Sequence, residues 1–151
     1  MTSGVTLDSN TRSVALDLLE KAKAELQGVE RFSVVLSNPP YQKDTNKEAG
    51  GTNSTVTNIF QKFQDVALVL ADRTSMIYPA GRWMQQGGKG LKEWGADFSH
   101  SEHLHSISVL EGRGPNSLFP NVVIVDGLSI TYCDTLTSNR GIIKLNGVDY
   151  P

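Results

Sequence analysis

The chain has 151 residues, enough for one domain with a real core. Its charged fraction of 20% and apolar fraction of 38% are ordinary, and a net charge of −2 gives no global attraction to nucleic acid, so any DNA contact falls to a local patch. The single cysteine, Cys133, excludes an internal disulfide; no apolar run approaches the roughly 20 residues of a membrane span and no secretion signal opens the chain, so a cytoplasmic protein without membrane contact is expected.

From the N-terminus, Ser9-Asn10-Thr11 offers caps for a helix over 12–27, with Ala15, Leu18, Leu19, Ala22 and Leu26 on one face. Asp17 and Lys21 pair at i,i+4, and Gly28 is a stop. Phe32–Ser37 is apolar on both faces, which suits an inner strand of a parallel sheet. Positions 43–54 are polar and Gly-bearing and read as a loop. A second helix is predicted over 57–72, with Ile59, Phe60, Phe63, Ala67 and Leu70 on one stripe that reads as core.

A strand over 75–78 ends at Pro79, and a Gly-rich turn leads into a third helix over 91–98 presenting Leu91, Trp94 and Phe98. Gly95 weakens that helix by roughly 1 kcal/mol relative to Ala. The last third predicts strands over 106–110, 122–125, 128–133 and 142–145, with Asn146-Gly147 as a hairpin turn. Strands alternating with helices predict an α/β, doubly wound sheet with a C-terminal antiparallel hairpin.

Asn38-Pro39-Pro40-Tyr41 stands directly at the end of the first apolar strand. By composition alone such a tetrapeptide arises in well under roughly one in a thousand chains of this length. Taken by itself it also reads as a tight strand exit, since prolines end strands and Asn before Pro starts turns. The motif resembles the catalytic motif of N6-adenine-specific DNA methyltransferases of type II and type IIG restriction–modification systems. Ile77-Tyr78-Pro79, Arg82-Trp83-Met84, Lys89-Gly90-Leu91-Lys92-Glu93 and Leu118-Phe119-Pro120-Asn121-Val122 extend the resemblance over about 32–134. Asn rather than Ser at the first motif position favours adenine over cytosine as the target.

The resemblance implies a partial Rossmann-like methyltransferase sheet, DNA as substrate and S-adenosylmethionine as methyl donor. It also implies roles for Asn38, Pro39, Pro40 and Tyr41. The exocyclic amine of adenine is a poor nucleophile because its lone pair is delocalised into the ring. Two acceptors, the Asn38 side-chain oxygen and the Pro39 carbonyl, would hold the amine and stabilise the charge that builds on it. Two prolines fix φ and supply no competing N–H, and Tyr41 would stack on the flipped base. A strand's carboxyl end is also where open α/β sheets bind ligands.

Family members carry a Gly-rich turn upstream of this motif for the methionine part of the cofactor, and an acidic residue for its ribose. Here 1–31 reads as one helix, with Gly4 and Gly28 isolated. The cofactor-binding residues are therefore unknown. One domain over 1–151 is expected, composed of a helical segment (1–31), the target-base half of a methyltransferase (32–134) and a hairpin with tail (135–151). A second chain or a further region of the protein would supply the cofactor half.

Arg82, Trp83, Lys89 and Lys92 form a basic, aromatic loop after a strand end, which suits DNA binding and equally suits a solvated loop. Gly87-Gly88-Lys89-Gly90 lacks the spacing and the Ser/Thr of a phosphate loop. His100, His103 and His105 cluster without a completing Cys, Asp or Glu, so a solvated junction is preferred and no metal is expected. Arg113-Gly114-Pro115-Asn116 has only its position to place it near DNA.

Two readings stay open. The chain is part of a DNA methyltransferase, or it is a non-catalytic module that binds DNA or a protein, or self-associates, without cofactor. Either way an exposed apolar edge is expected at 32–36, covered by the 12–27 helix or by a second copy in a homodimer.

Overall fold

Asp8 opens the first helix: its carboxylate accepts from the Thr11 backbone N–H at 2.9 Å and the Thr11 hydroxyl at 2.7 Å. Helix α1 runs Ser9–Glu25, so the cap stands ahead of the Ser9-Asn10-Thr11 expected from sequence. The computed structural model describes residues 8–26, 28, 30–44, 56–85, 87, 90–114, 117–119, 121–138, 141–145 and 148–150.

Strand β1 (Phe32–Ser37) leads through the Asn-Pro-Pro-Tyr turn into a small hairpin of β2 (Gln42–Asp44) and β3 (Val56–Asn58). Most of the loop predicted over 43–54 lies outside the described residues. Helix α2 (Phe60–Leu70) then runs back along the sheet to β4 (Ala71–Pro79). Short α3 (Gly81–Met84) and α4 (Lys92–Ser99) precede β5 (Leu104–Leu110), β6 (Leu128–Asp134), β7 (Ile142–Leu145) and β8 (Val148–Tyr150).

The strands form one mixed sheet in the order β1-β4-β6-β5-β7-β8. β1 lies parallel to β4 and β5 parallel to β7, whereas β6 runs antiparallel to both β4 and β5. β7 and β8 make the predicted C-terminal hairpin; its Asn146-Gly147 turn lies outside the described residues.

β1 is an end strand, not the inner strand its apolar sequence suggested. Val35, level with Thr74, turns toward the core, while Val34 and Leu36, level with Arg73 and Ser75, turn away and are 50% and 73% exposed. Helix α1 packs on α2 and leaves those side chains uncovered. The run over 122–125 is not a strand. Its backbone bonds are two turn bonds, Val122 N–H to Phe119 O and Gly127 N–H to Ile124 O at 3.0 Å each, and one bond across the loop, Ile124 N–H to Gly112 O at 2.8 Å. Val122, Val123 and Val125 are exposed instead of alternating.

The core lies on one sheet face. Thr74, Met76 and Tyr78 of β4 and Thr131 and Cys133 of β6 meet Phe60, Trp83 and Phe98 from three helices over that face, with Leu91 just before α4. Phe60 stacks on Tyr78 and Trp94 on Phe98, each with ring centroids 4.8 Å apart. Buried Gln64 satisfies three hydroxyls there: its Nε2 donates to Thr74 at 3.0 Å, and its Oε1 accepts from Tyr78 and Thr131 at 3.1 Å each. Burial pushes the Cys133 thiol up to about 12, against a hydrogen bond with Thr74, so Cys133 is an inert core residue. Phe63, read from sequence as core, is exposed beside α1.

Arg31 fixes where β1 begins. Its guanidinium donates to the carbonyls of Leu68 (3.1 Å), Val69 (2.8 Å) and Ala71, and to the Asp72 carboxylate at 3.0 Å. The carbonyls left over at the end of α2 are thus satisfied by the residue just before β1. No helix among the described residues is long and apolar enough to cross a membrane.

Candidate active site

Because β1 and β4 are parallel, their carboxyl ends lie on one side of the sheet, and Asn38-Pro39-Pro40-Tyr41 projects from that side. Two prolines cannot continue a ladder, so the strand stops where its sequence stops it. The Ile59 backbone N–H donates to the Tyr41 carbonyl at 3.0 Å, which ties the turn to the start of α2. The Tyr41 ring packs against the core, and partial burial raises its hydroxyl above the usual tyrosine range. That hydroxyl donates to Asn38 Oδ1 at 3.0 Å. Pro39 is buried, whereas Asn38 and Pro40 are exposed.

The four motif residues line one wall of an open cavity of about 330 Å³, and Phe119, Val122 and Ile124 line the other. That volume falls within the roughly 300–1,000 Å³ of small-molecule sites. Val122 and Ile124 fall in the run whose sequence predicts a strand, so their place in this wall is not foreseen there. Gly112 holds it in place. A Cβ on Gly112 would lie 1.7 Å from the Ile124 carbonyl oxygen, and Gly112's own carbonyl accepts the Ile124 N–H. Only glycine permits this approach. The signal was available in Gly112, but only a partner across the loop gives it meaning.

The basic loop divides. Arg82 is exposed at the same end of the sheet as the motif, with its Nε donating to the Asp126 carboxylate at 2.8 Å. Lys92 is exposed at the start of α4, and Lys89 lies outside the described residues. Trp83, expected to face DNA, is fully buried. It is in T-shaped contact with Tyr78, and its indole N–H donates to Ser129 Oγ at 3.2 Å. A tryptophan so enclosed offers no face to a base, and its place is in the core. Arg113 is exposed. His100 and His105 bond backbone carbonyls of Ala96 and Thr137. Among the described residues no group of three or more His, Cys, Asp or Glu could hold a metal.

A family model, the Eco57I restriction-modification methylase, matches residues 6–114. The chain belongs to that family. Two solved structures are similar. One is a chain of a type I restriction–modification system, with 19% identity and a TM-score of 0.46 over 83% of this chain and 25% of that one. The other is the M protein of the type I restriction enzyme EcoKI, with 14% identity and a TM-score of 0.45 over 81% of this chain and 26% of that one. The chain thus spans about a quarter of the length of each. A comparison with curated proteins returns no match.

A restriction-modification methylase needs a methyl donor. No strand among the described residues runs through a G-x-G turn into a helix: Gly112-Arg113-Gly114 follows β5, and no helix follows it among the described residues. The described residues build one open cavity at the motif, between the Asn-Pro-Pro-Tyr turn and Phe119, Val122 and Ile124.

Proposed function

We propose that this chain is the target-base half of an S-adenosylmethionine-dependent, adenine-N6-specific DNA methyltransferase of a restriction–modification system. The observation that carries this reading is the Asn-Pro-Pro-Tyr turn at a strand's carboxyl end, forming one wall of a cavity whose other wall is apolar. Asn38 Oδ1 and the Pro39 carbonyl accept the two hydrogens of the adenine amine. This frees the nitrogen lone pair from the ring and stabilises the positive charge that develops there. Tyr41 stacks on the flipped base, and Phe119, Val122 and Ile124 close the far side against water. The methyl group passes by direct displacement, with no covalent enzyme intermediate.

Arg82 and Lys92 are the candidate phosphate contacts, since both are exposed cations and Arg82 shares the sheet end with the motif. The donor is held by segments beyond the open edge of β1, from a further region of the polypeptide or from a second chain. Two observations support this placement: β1 ends the sheet, and Val34 and Leu36 present apolar side chains on its outer face with no cover among the described residues. The same edge favours the second reading, a non-catalytic module that binds DNA or a partner or forms a homodimer through β1.

Isothermal titration of the chain with S-adenosylmethionine tests the division of labour. No heat of binding is expected from the chain alone, and tight binding contradicts the placement of the donor site elsewhere.

A further inference from the structure

The side chain of Asn38 has a problem that the rest of the motif does not share. Its amide is exposed, and the torsion that turns it is broad and nearly two-fold. The two ends of the amide have almost the same shape and opposite hydrogen-bond character. With the oxygen toward the pocket it accepts a hydrogen from an amine. Turned over, it presents N–H groups to N–H groups and repels the substrate.

Among the described residues the one side-chain bond to this amide is from the Tyr41 hydroxyl to Oδ1, at 3.0 Å. Tyr41 is itself fixed twice, by its carbonyl on the Ile59 N–H and by its ring against the core. Its raised hydroxyl stays protonated at neutral pH, so it is a donor that only the oxygen end can satisfy. A carbonyl oxygen has two lone pairs, so one remains for the substrate.

We infer that the Tyr41 hydroxyl is a positioning group, holding Asn38 with its oxygen toward the pocket before the base arrives. This rests on the methyltransferase reading above and adds to Tyr41 a role separate from stacking. Phenylalanine keeps the ring and loses the donor, so Y41F isolates the hydroxyl.

Two measurements decide it. In the chain alone, with side-chain ¹⁵N relaxation of Asn38 assigned by its loss in N38A, the amide is ordered in the wild type and loses order in Y41F. Unchanged order overturns the proposal. In the methylase that carries this chain, Y41F lowers kcat roughly two- to tenfold, the bias one ordinary hydrogen bond supplies. KM for DNA and the fluorescence of 2-aminopurine at the target position stay as in the wild type. A wild-type kcat in Y41F, or lost flipping fluorescence, overturns the positioning role. Wild-type methylation by N38A instead sinks the methyltransferase reading of the motif, while the relaxation measurement still decides whether the hydroxyl orients the amide.

Discussion

The Ile59 backbone N–H and the Tyr41 carbonyl oxygen lie 3.0 Å apart, and this bond joins the two chain segments on which the site depends. It sets the Asn-Pro-Pro-Tyr turn against the residue before α2, so the ring of Tyr41 reaches the core that Phe60 begins. Arg31 performs the matching task at the other end of β1 by gripping the carbonyls at the end of α2. The strand that carries the motif is therefore pinned at both ends to one helix.

The opposite wall of the cavity hangs on Gly112. Alanine there would place a methyl group 1.7 Å from the Ile124 carbonyl, so the segment bearing Phe119, Val122 and Ile124 must move. Gly112→Ala is expected to weaken target-base capture, seen as a rise of roughly tenfold in KM for DNA, the effect of about 1.4 kcal/mol of lost contact. Loss of the same size from Phe119→Ala would assign the effect to the wall. An unchanged KM in both variants removes that wall from the site.

Gly95 sets two effects against each other. Replacing a helix-interior glycine by alanine gains roughly 1 kcal/mol in propensity. Its Cβ would, however, lie 2.3 Å from the Trp83 carbonyl oxygen, because α4 crosses α3 backbone to backbone. Overpacking of this kind costs roughly 1–3 kcal/mol or more, and a backbone atom has little room to give. Gly95→Ala should therefore lower stability in urea denaturation, and a stabilised variant would show that the two helices do not meet in this way.

Asp65 gives the fold a pH dependence. Burial pushes its carboxyl up to about 6, opposed by the Trp94 indole N–H that donates to Oδ1 at 2.9 Å. A carboxyl with a raised folded-state value keeps its proton more tightly folded than unfolded. Its contribution to stability is present below about pH 4 and is lost as pH rises through 6. Asp65→Asn keeps an acceptor for Trp94 and removes the charge. It should raise the unfolding free energy by roughly 1–3 kcal/mol at pH 8 and leave it near wild type at pH 4. Equal stability of the two proteins at both pH values would mean Asp65 is solvated.

Much of the frame is legible in the sequence, because the features that specify it are local. Phe32–Ser37 and Ile142–Leu145 are strands where their apolar runs say, and Pro39 and Pro40 end β1 as proline must. What was not legible depends on partners far along the chain. Gln64 and Asp65 carry polar side chains of a kind usually exposed, yet both are buried, because Thr74, Tyr78, Thr131 and Trp94 supply their hydrogen bonds. Trp83 reads as a DNA-facing aromatic only until Ser129 meets its indole. The β-branched residues at 122–125 carry strand propensity with no neighbouring strand to pair with, so propensity loses to context.

The most direct test of the account is adenine-N6 methylation by the methylase that carries this chain, compared between wild type and Asn38→Ala. Asn38 is exposed and its truncation leaves the packed motif residues in place, so circular dichroism and the melting temperature should be unchanged. The account predicts a fall in kcat of roughly a hundredfold or more, the usual cost of removing one preorganised transition-state contact. Methylation at the wild-type rate by the folded variant would contradict it.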